Sequence, residues 1–343
     1  SGVAKRLLGL NSDGGYGHAG SLQSLAHATS GHAFNAKRMS ITITITTQAI
    51  EIDANVLAHL SPDALSVLQT GQRLTLPGSM VWHAWGPSDG PVLVLLHGGS
   101  GSWMHWIRNI APLVLQGHRV LAVDLPGFGD SAAPVQGGDV DALIEPLHAA
   151  WQLLRPAHVA STFVGFSFGG MTAALWLAAY PDDAQNLVMV GTPGLGLSVP
   201  DRIPLKGWRH LPTQAMQVEA HQHNLMALML HHSESLDGLA LALHTANVQR
   251  DRMPRRRLSS TPIVAEALPR ITCPVHVIFG EWDALYKGRL PEVAALFKAK
   301  TPHLGSLQWV PDAGHWVQYE RAEAFQLALL ACTADTAARK PSK

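Results

Sequence analysis

The chain of 343 residues predicts an α/β fold: a mostly parallel central sheet with helices on both faces and a helical segment inserted into it. Three observations predict it. Apolar runs of strand length (Val92 to Leu96, Arg119 to Asp124, Val159 to Phe166, Asn186 to Gly191, Val275 to Gly280, Ser306 to Val310) alternate with helical patterns (Asp139 to Leu154, Met171 to Tyr180, Gly288 to Lys298, Ala322 to Ala331). Gly-rich loops follow several of the strands, where ligands collect in such sheets. Between Gly191 and Pro274 about 80 residues pass without a convincing strand.

Taken in order, residues 1–38 are small, Ser/Gly/Ala/His-rich and weakly patterned, and read as a disordered leader. From Ile41 the strict alternation of Ile41, Ile43 and Ile45 with Thr42, Thr44 and Thr46 predicts a half-buried edge strand. Asp53 to Leu68 reads as a short helix, with Ser61-Pro62-Asp63 marking a turn or a fresh helix start. Arg73 to Pro77 and Met80 to Gly86 form a hairpin around Pro77-Gly78. Val92 to Leu96 is the first wholly buried strand, and it runs into His97-Gly98-Gly99-Ser100-Gly101-Ser102 and a Trp-rich helix start at Trp103 and Trp106. The α/β core is expected over residues 39–198 and 269–335, with residues 199–268 forming a helical cap. In the cap, Gln214 to Leu230 and Leu236 to Val248 are helical in pattern, and Arg255-Arg256-Arg257 is read as a solvated face.

The stretch Thr162 to Gly170, TFVGFSFGG, is an apolar strand, a sharp turn and a helix start. In this G-x-S-x-G arrangement Ser167 stands on a strained turn, with Gly165 and Gly169 on either side because a tight backbone leaves no room for side chains. Helix-start N–H groups point at the same place and would meet negative charge developing on a substrate oxygen. Ser167 is therefore the candidate nucleophile. A serine hydroxyl needs a base, and the base an orienting carboxylate. The strand Val275 to Gly280 ends in Glu281-Trp282-Asp283, and the next ends in Asp312-Ala313-Gly314-His315-Trp316. Of nineteen histidines His315 alone follows the last strand, so His315 is the expected base and Asp283 the expected carboxylate, with Glu281 and Asp312 as rivals.

Composition sets the remaining bounds. The chain is 47% hydrophobic, and its 25 basic residues balance 25 acidic ones, so nothing draws it to nucleic acid. Cys273 and Cys332 are too few for a disulfide framework and read as buried thiols. No apolar run is long enough to span a membrane, and a cytoplasmic location is expected. The cap histidines lack a carboxylate or cysteine at a recognisable spacing, so no metal is expected.

Together, His97-Gly98-Gly99, Asp124-Leu125-Pro126-Gly127-Phe128-Gly129-Asp130-Ser131, Gly165-Phe166-Ser167-Phe168-Gly169-Gly170, Asp283 and Gly314-His315-Trp316 resemble the α/β-hydrolase superfamily over about residues 72–332. The resemblance implies an oxyanion hole from the backbone N–H groups of Gly99 and Phe168, with the Asp124 loop serving architecture. Serine at position 167 sets aside the epoxide hydrolases and haloalkane dehalogenases, which carry aspartate there. Within the serine branch, Gly314 to Glu320 and Trp106 to Ile110 are similar to the meta-cleavage-product hydrolases, which split a carbon–carbon bond in a dienone acid. Those enzymes usually have a Gly-Gly-Gly-Pro-Gly loop and a Gly-Asn-Ser-Met-Gly elbow, whereas this chain has Gly-Gly-Ser-Gly-Ser, Phe166 and Phe168. The resemblance thus implies a carboxylesterase or lactone hydrolase that needs no cofactor and acts on a small to medium apolar substrate. Carbon–carbon hydrolase, acyltransferase and cofactor-free peroxidase are the alternatives. Ser100, Trp103, Phe166 and Trp316 are the candidate pocket residues, a small-molecule ester or ketone the expected partner, and a monomer or homodimer the expected state.

Overall fold

The computed structural model describes residues 44–156, 159–197 and 203–338. The expected leader therefore lies outside the described residues, as do residues 41–43 of the alternating Ile/Thr run. Nine strands form one sheet: β1 (Thr46–Ala49), β2 (Gln72–Leu76), β3 (Met80–Trp85), β4 (Val92–Leu96), β5 (Arg119–Val123), β6 (Ser161–Phe166), β7 (Asn186–Val190), β8 (Val275–Gly280) and β9 (Leu304–Val310). Their spatial order is β1-β2-β3-β5-β4-β6-β7-β8-β9. The β1, β2 and β3 contacts are antiparallel, through to β5, and every pairing from β5 to β9 is parallel.

The edge position predicted for the Ile/Thr run is found; among the described residues the pairing begins at Thr46, Ile45 is partly buried against the core, and the residues of β1 itself are exposed. Its one neighbour is β2, with Thr46 opposite Thr75 and Ala49 opposite Gln72. The hairpin around Pro77-Gly78 joins β2 to β3, with Leu76 opposite Met80 and Gly78 at φ 78°.

Burial explains why the central strands read as unbroken apolar runs. In β4, Val92, Val94 and Leu96 pack into one hydrophobic layer with Trp82, Trp151, Phe163, Trp176 and Phe297. Leu93 and Leu95 pack into the other, with Trp85, Trp106, Val164, Trp316 and Phe325. A strand covered on both faces has no position left for a polar side chain.

Eleven α-helices are found among the described residues: α1 (Ala54–Leu57), α2 (Pro62–Gln69), α3 (Ile107–Leu115), α4 (Ile144–Leu154), α5 (Phe168–Ala179), α6 (Gln214–Asn224), α7 (Gly238–Gln249), α8 (Ile263–Ala267), α9 (Leu290–Lys300), α10 (Val317–Glu320) and α11 (Ala322–Ala338). The expected helix after Asp53 is two helices. Asp53 caps the first and Ser61, followed by Pro62, caps the second, each side chain accepting a helix-start N–H. Between β7 and β8 the described residues carry helices α6, α7 and α8 with short helical turns and no strand. Among the described residues no helix is long and apolar enough to cross a membrane.

Candidate active site

Parallel β4, β6, β7, β8 and β9 all point their carboxyl ends the same way, and the site lies there. Strand β6 ends at Phe166 and α5 begins at Phe168, leaving Ser167 alone to turn the chain. Ser167 sits at φ 52°, ψ −115°, a conformation L-residues avoid, and its N–H donates to Val190 O at 2.7 Å. The turn is tight enough to exclude side chains beside it. A Cβ on Gly165 would lie 2.5 Å from Gly169 O, and one on Gly169 would lie 2.3 Å from Leu96 O. Helix α5 can then press directly on β6 and β4.

Strand β9 delivers His315 and β8 delivers Asp283. His315 Nε2 is 2.9 Å from Ser167 Oγ, and His315 Nδ1 is 2.9 Å from each carboxylate oxygen of Asp283. Asp283 accepts at Nδ1, so Nδ1 carries the ring proton and Nε2 is left to accept from the serine hydroxyl. His315 is 2% exposed and Asp283 fully buried, so water does not compete for these bonds. The N–H of Leu285 also donates to Asp283 Oδ1 at 2.9 Å. The rival carboxylates are elsewhere: Glu281 and Asp312 are exposed, and the Asp312 N–H donates to Glu281 at 3.4 Å.

The loop after β4 is held from both sides. His97 Nδ1 donates to Gly98 O at 2.7 Å, and His97 Nε2 accepts from the Leu125 N–H at 2.9 Å. Complete burial lowers the His97 pKa to about 4, which keeps the ring neutral and able to do both. The Gly98 N–H donates to His105 Nδ1, and burial drives the His105 pKa well below the usual histidine range. Asp124 accepts from the N–H groups of Trp103 and Asp130, the architectural role expected of its loop. Ser100, at φ 52°, donates to Asp251 Oδ2 at 2.6 Å, and Ser102 donates to Asn247 Oδ1 at 2.6 Å. These two bonds tie the loop to the helical segment between β7 and β8.

A cavity of about 640 Å³ opens over Ser167 and His315. Gly98, Gly99 and Phe168 border it, and the N–H groups of Gly99 and Phe168 make no hydrogen bond among the described residues. Most of its wall is apolar: Phe166, Leu195, Leu197, Leu205, Leu228, Met229 and Leu285. The polar remainder includes Ser100, Ser259, Ser260, Tyr286 and Arg256.

Of the four pocket residues expected from sequence, Ser100 and Phe166 line this cavity, and Trp103 and Trp316 do not. Trp103 packs against His83 and Trp85 at 5.1 and 5.2 Å between ring centroids. Trp316 is fully buried on Tyr319 and donates its indole N–H to His105 O. Both aromatic side chains belong to the hydrophobic layer beneath the site.

Arg255 and Arg257 are exposed, as the expectation of a solvated arginine face has it, but Arg256 departs from it. Its side chain is 20% exposed, lines the cavity and lies 5.0 Å from the Phe128 ring centroid and 5.6 Å from that of Phe168. Nη1 donates to both oxygens of Asp251 at 3.0 and 2.9 Å and to Met253 O at 2.7 Å, while Nη2 donates to Ser100 Oγ at 3.0 Å. The sequence signal for this residue was the carboxylate of Asp251 five positions earlier, in an otherwise basic run. Among the described residues no group of three or more metal-ligating side chains could hold an ion.

Comparison with known proteins agrees with this fold. Residues 91–322 match the family model described as the alpha/beta hydrolase fold. A 2-hydroxy-6-oxo-6-phenylhexa-2,4-dienoate hydrolase of Burkholderia cepacia is 31% identical over 254 residues, covering 69% of this chain and 85% of that protein. A carboxylesterase of Bacillus subtilis superposes with a TM-score of 0.62 at 23% identity, covering 75% of this chain and 88% of its own. A variant meta-cleavage product hydrolase gives 0.61 at 20% identity, over 75% and 96%. The two structural scores are indistinguishable, so backbone similarity does not choose between ester and carbon–carbon cleavage. With its matching model, its sheet order and its strand-end loops, the chain belongs to the alpha/beta hydrolase family.

Proposed function

We propose that the protein is a serine hydrolase that cleaves a carboxylic ester or lactone of small to medium apolar character. The observation that carries this is the unbroken series Ser167–His315–Asp283 opening into a cavity whose one arginine among the described residues is already charge-paired. In this reading Ser167 Oγ attacks the substrate carbonyl as its proton passes to His315 Nε2, and Asp283 stabilises the resulting imidazolium. The N–H groups of Gly99 and Phe168 hold the oxyanion, each contributing roughly 3–4 kcal/mol to the chemical step. His315 then protonates the leaving alcohol, and water attacks the acyl-enzyme with His315 again as base. The segment over residues 199–268 acts as a cap, Leu205, Leu228, Met229 and Arg256 supplying its share of the wall.

Carbon–carbon hydrolysis of a dienone acid is the second reading, favoured by the 31% identity to the Burkholderia cepacia dienoate hydrolase. That substrate carries a carboxylate, and the paired Arg256 offers it no free charge. Turnover of p-nitrophenyl esters of rising acyl length, beside a dienone ring-cleavage product, separates the two in wild type and Ser167→Ala. The ester reading expects ester turnover that the variant loses; rapid bleaching of the dienone with slow ester turnover would overturn it.

A further inference from the structure

Resting on the ester reading, we propose that Asp251 sets the charge specificity of the cavity. By pairing with Arg256 it keeps the wall beside Ser167 electrically neutral, so that uncharged acyl groups are accepted and carboxylate-bearing ones are disfavoured.

Apart from His315, Arg256 is the one basic side chain among the described residues lining the cavity. A guanidinium walled by Phe128 and Phe168 is poorly screened, and left alone it would draw anions strongly. Asp251 prevents this by position. Both its oxygens face Nη1, and Ser100 Oγ bridges the two residues by donating to Asp251 and accepting from Nη2. Burial alone would raise the Asp251 carboxyl, but the Arg256 charge and the Ser100 hydroxyl outweigh it and hold it below the ordinary carboxylate range. The pair therefore stays ionised and mutually compensated at neutral pH.

The Nε–Nη2 edge of the guanidinium lies against the loop after β4, where Nη2 meets Ser100. The direction in which a Cβ would leave Gly99 ends 3.6 Å from both Nε and Nη2 of Arg256. Gly99 borders the cavity beside Ser167, so any charge released on Arg256 would be felt by the substrate rather than by bulk solvent. Asparagine at position 251 has the same shape and an oxygen that can still accept from Ser100, but carries no charge.

The test compares kcat/KM for p-nitrophenyl butyrate with that for the mono-p-nitrophenyl ester of succinic acid, which matches it in length and adds a carboxylate. Asp251→Asn is expected to raise the anionic-to-neutral ratio about tenfold or more, with the gain shrinking as salt is added. Arg256→Gln, which leaves Asp251 unpaired, is expected to lower the ratio below wild type, and the double variant to return toward it. An unchanged ratio in Asp251→Asn overturns the proposal. Calorimetric binding of phenylbutyrate provides a readout independent of turnover: Asp251→Asn should bind it more tightly than wild type and Arg256→Gln less tightly. If wild type fails to turn over either ester while phenylbutyrate follows this order, the ester reading fails and the role of Asp251 stands. If esters are turned over but ratio and binding do not respond, the role of Asp251 fails alone. Circular dichroism checks each fold, and should Asp251→Asn not fold, Arg256→Gln decides: equal phenylbutyrate affinity in that variant and wild type overturns the proposal.

Discussion

His315 Nδ1 lies 2.9 Å from both oxygens of Asp283, across the ends of adjacent strands β8 and β9. The symmetric approach fixes the imidazole in plane and leaves one tautomer compatible with accepting from Ser167. Asp283→Asn would place an amide there that can donate to Nδ1, turning the ring to the tautomer that cannot take the serine proton. We expect kcat for ester turnover to fall about 10³- to 10⁴-fold with the fold intact, whereas Glu281→Gln and Asp312→Asn stay near wild type. Steady-state kinetics on the three variants check this, and a large loss in either control would displace Asp283 from its role.

Gly169 is predicted to be intolerant of even the smallest side chain. A Cβ there meets Leu96 O at 2.3 Å, within the backbone of the central strand, and no rotamer relieves the clash. Gly169→Ala is expected to cost about 2–3 kcal/mol and to push Ser167 out of line with His315. Urea unfolding measures the first effect and ester turnover the second. By contrast Gly117 and Gly288, which have open space at Cβ but φ near 85° and 74°, should lose only the backbone-strain contribution of about 1 kcal/mol on change to alanine.

Acid should destabilise the protein earlier than carboxylate protonation alone would. Burial lowers the pKa of His97 to about 4 and that of His83 to about 3. Both rings are neutral in the folded chain and charge at about 6.5 in the unfolded one, so the unfolded state binds more protons between those values. Stability is therefore full above pH 6.5 and declines as pH falls toward 4, by roughly 3 kcal/mol for His97 alone. Urea midpoints measured from pH 7.5 to about 4.5 should hold level down to about pH 6.5 and fall below it; a flat profile would sink the assignment of these rings as neutral.

Much of the site could be read in the sequence because it is written in contiguous motifs. Gly165, Ser167 and Gly169 are neighbours on one turn, and their chemistry follows from the local backbone they impose. Asp283 and His315 stand out by their place after successive strands, and the structure buries Asp283 against His315 while the rivals Glu281 and Asp312 stay exposed. Trp103 and Trp316 went the other way: adjacent to the motifs in sequence, they face the hydrophobic layer below the site. Residue spacing places a side chain at a strand end but does not say where its Cα–Cβ bond points once the loop has folded.

Sequence by itself determined the parallel sheet, the inserted helical segment and the order of serine, aspartate and histidine, since each rests on local periodicity or turn chemistry. Only the tertiary structure decided that Arg256 lines the cavity and that Asp251 and Ser100 hold its charge. That contact joins the loop after β4 to a segment about 150 residues later. Neither residue carries a local pattern that announces it, because an ion pair across a cavity wall depends on how two distant segments pack and not on the propensities of either.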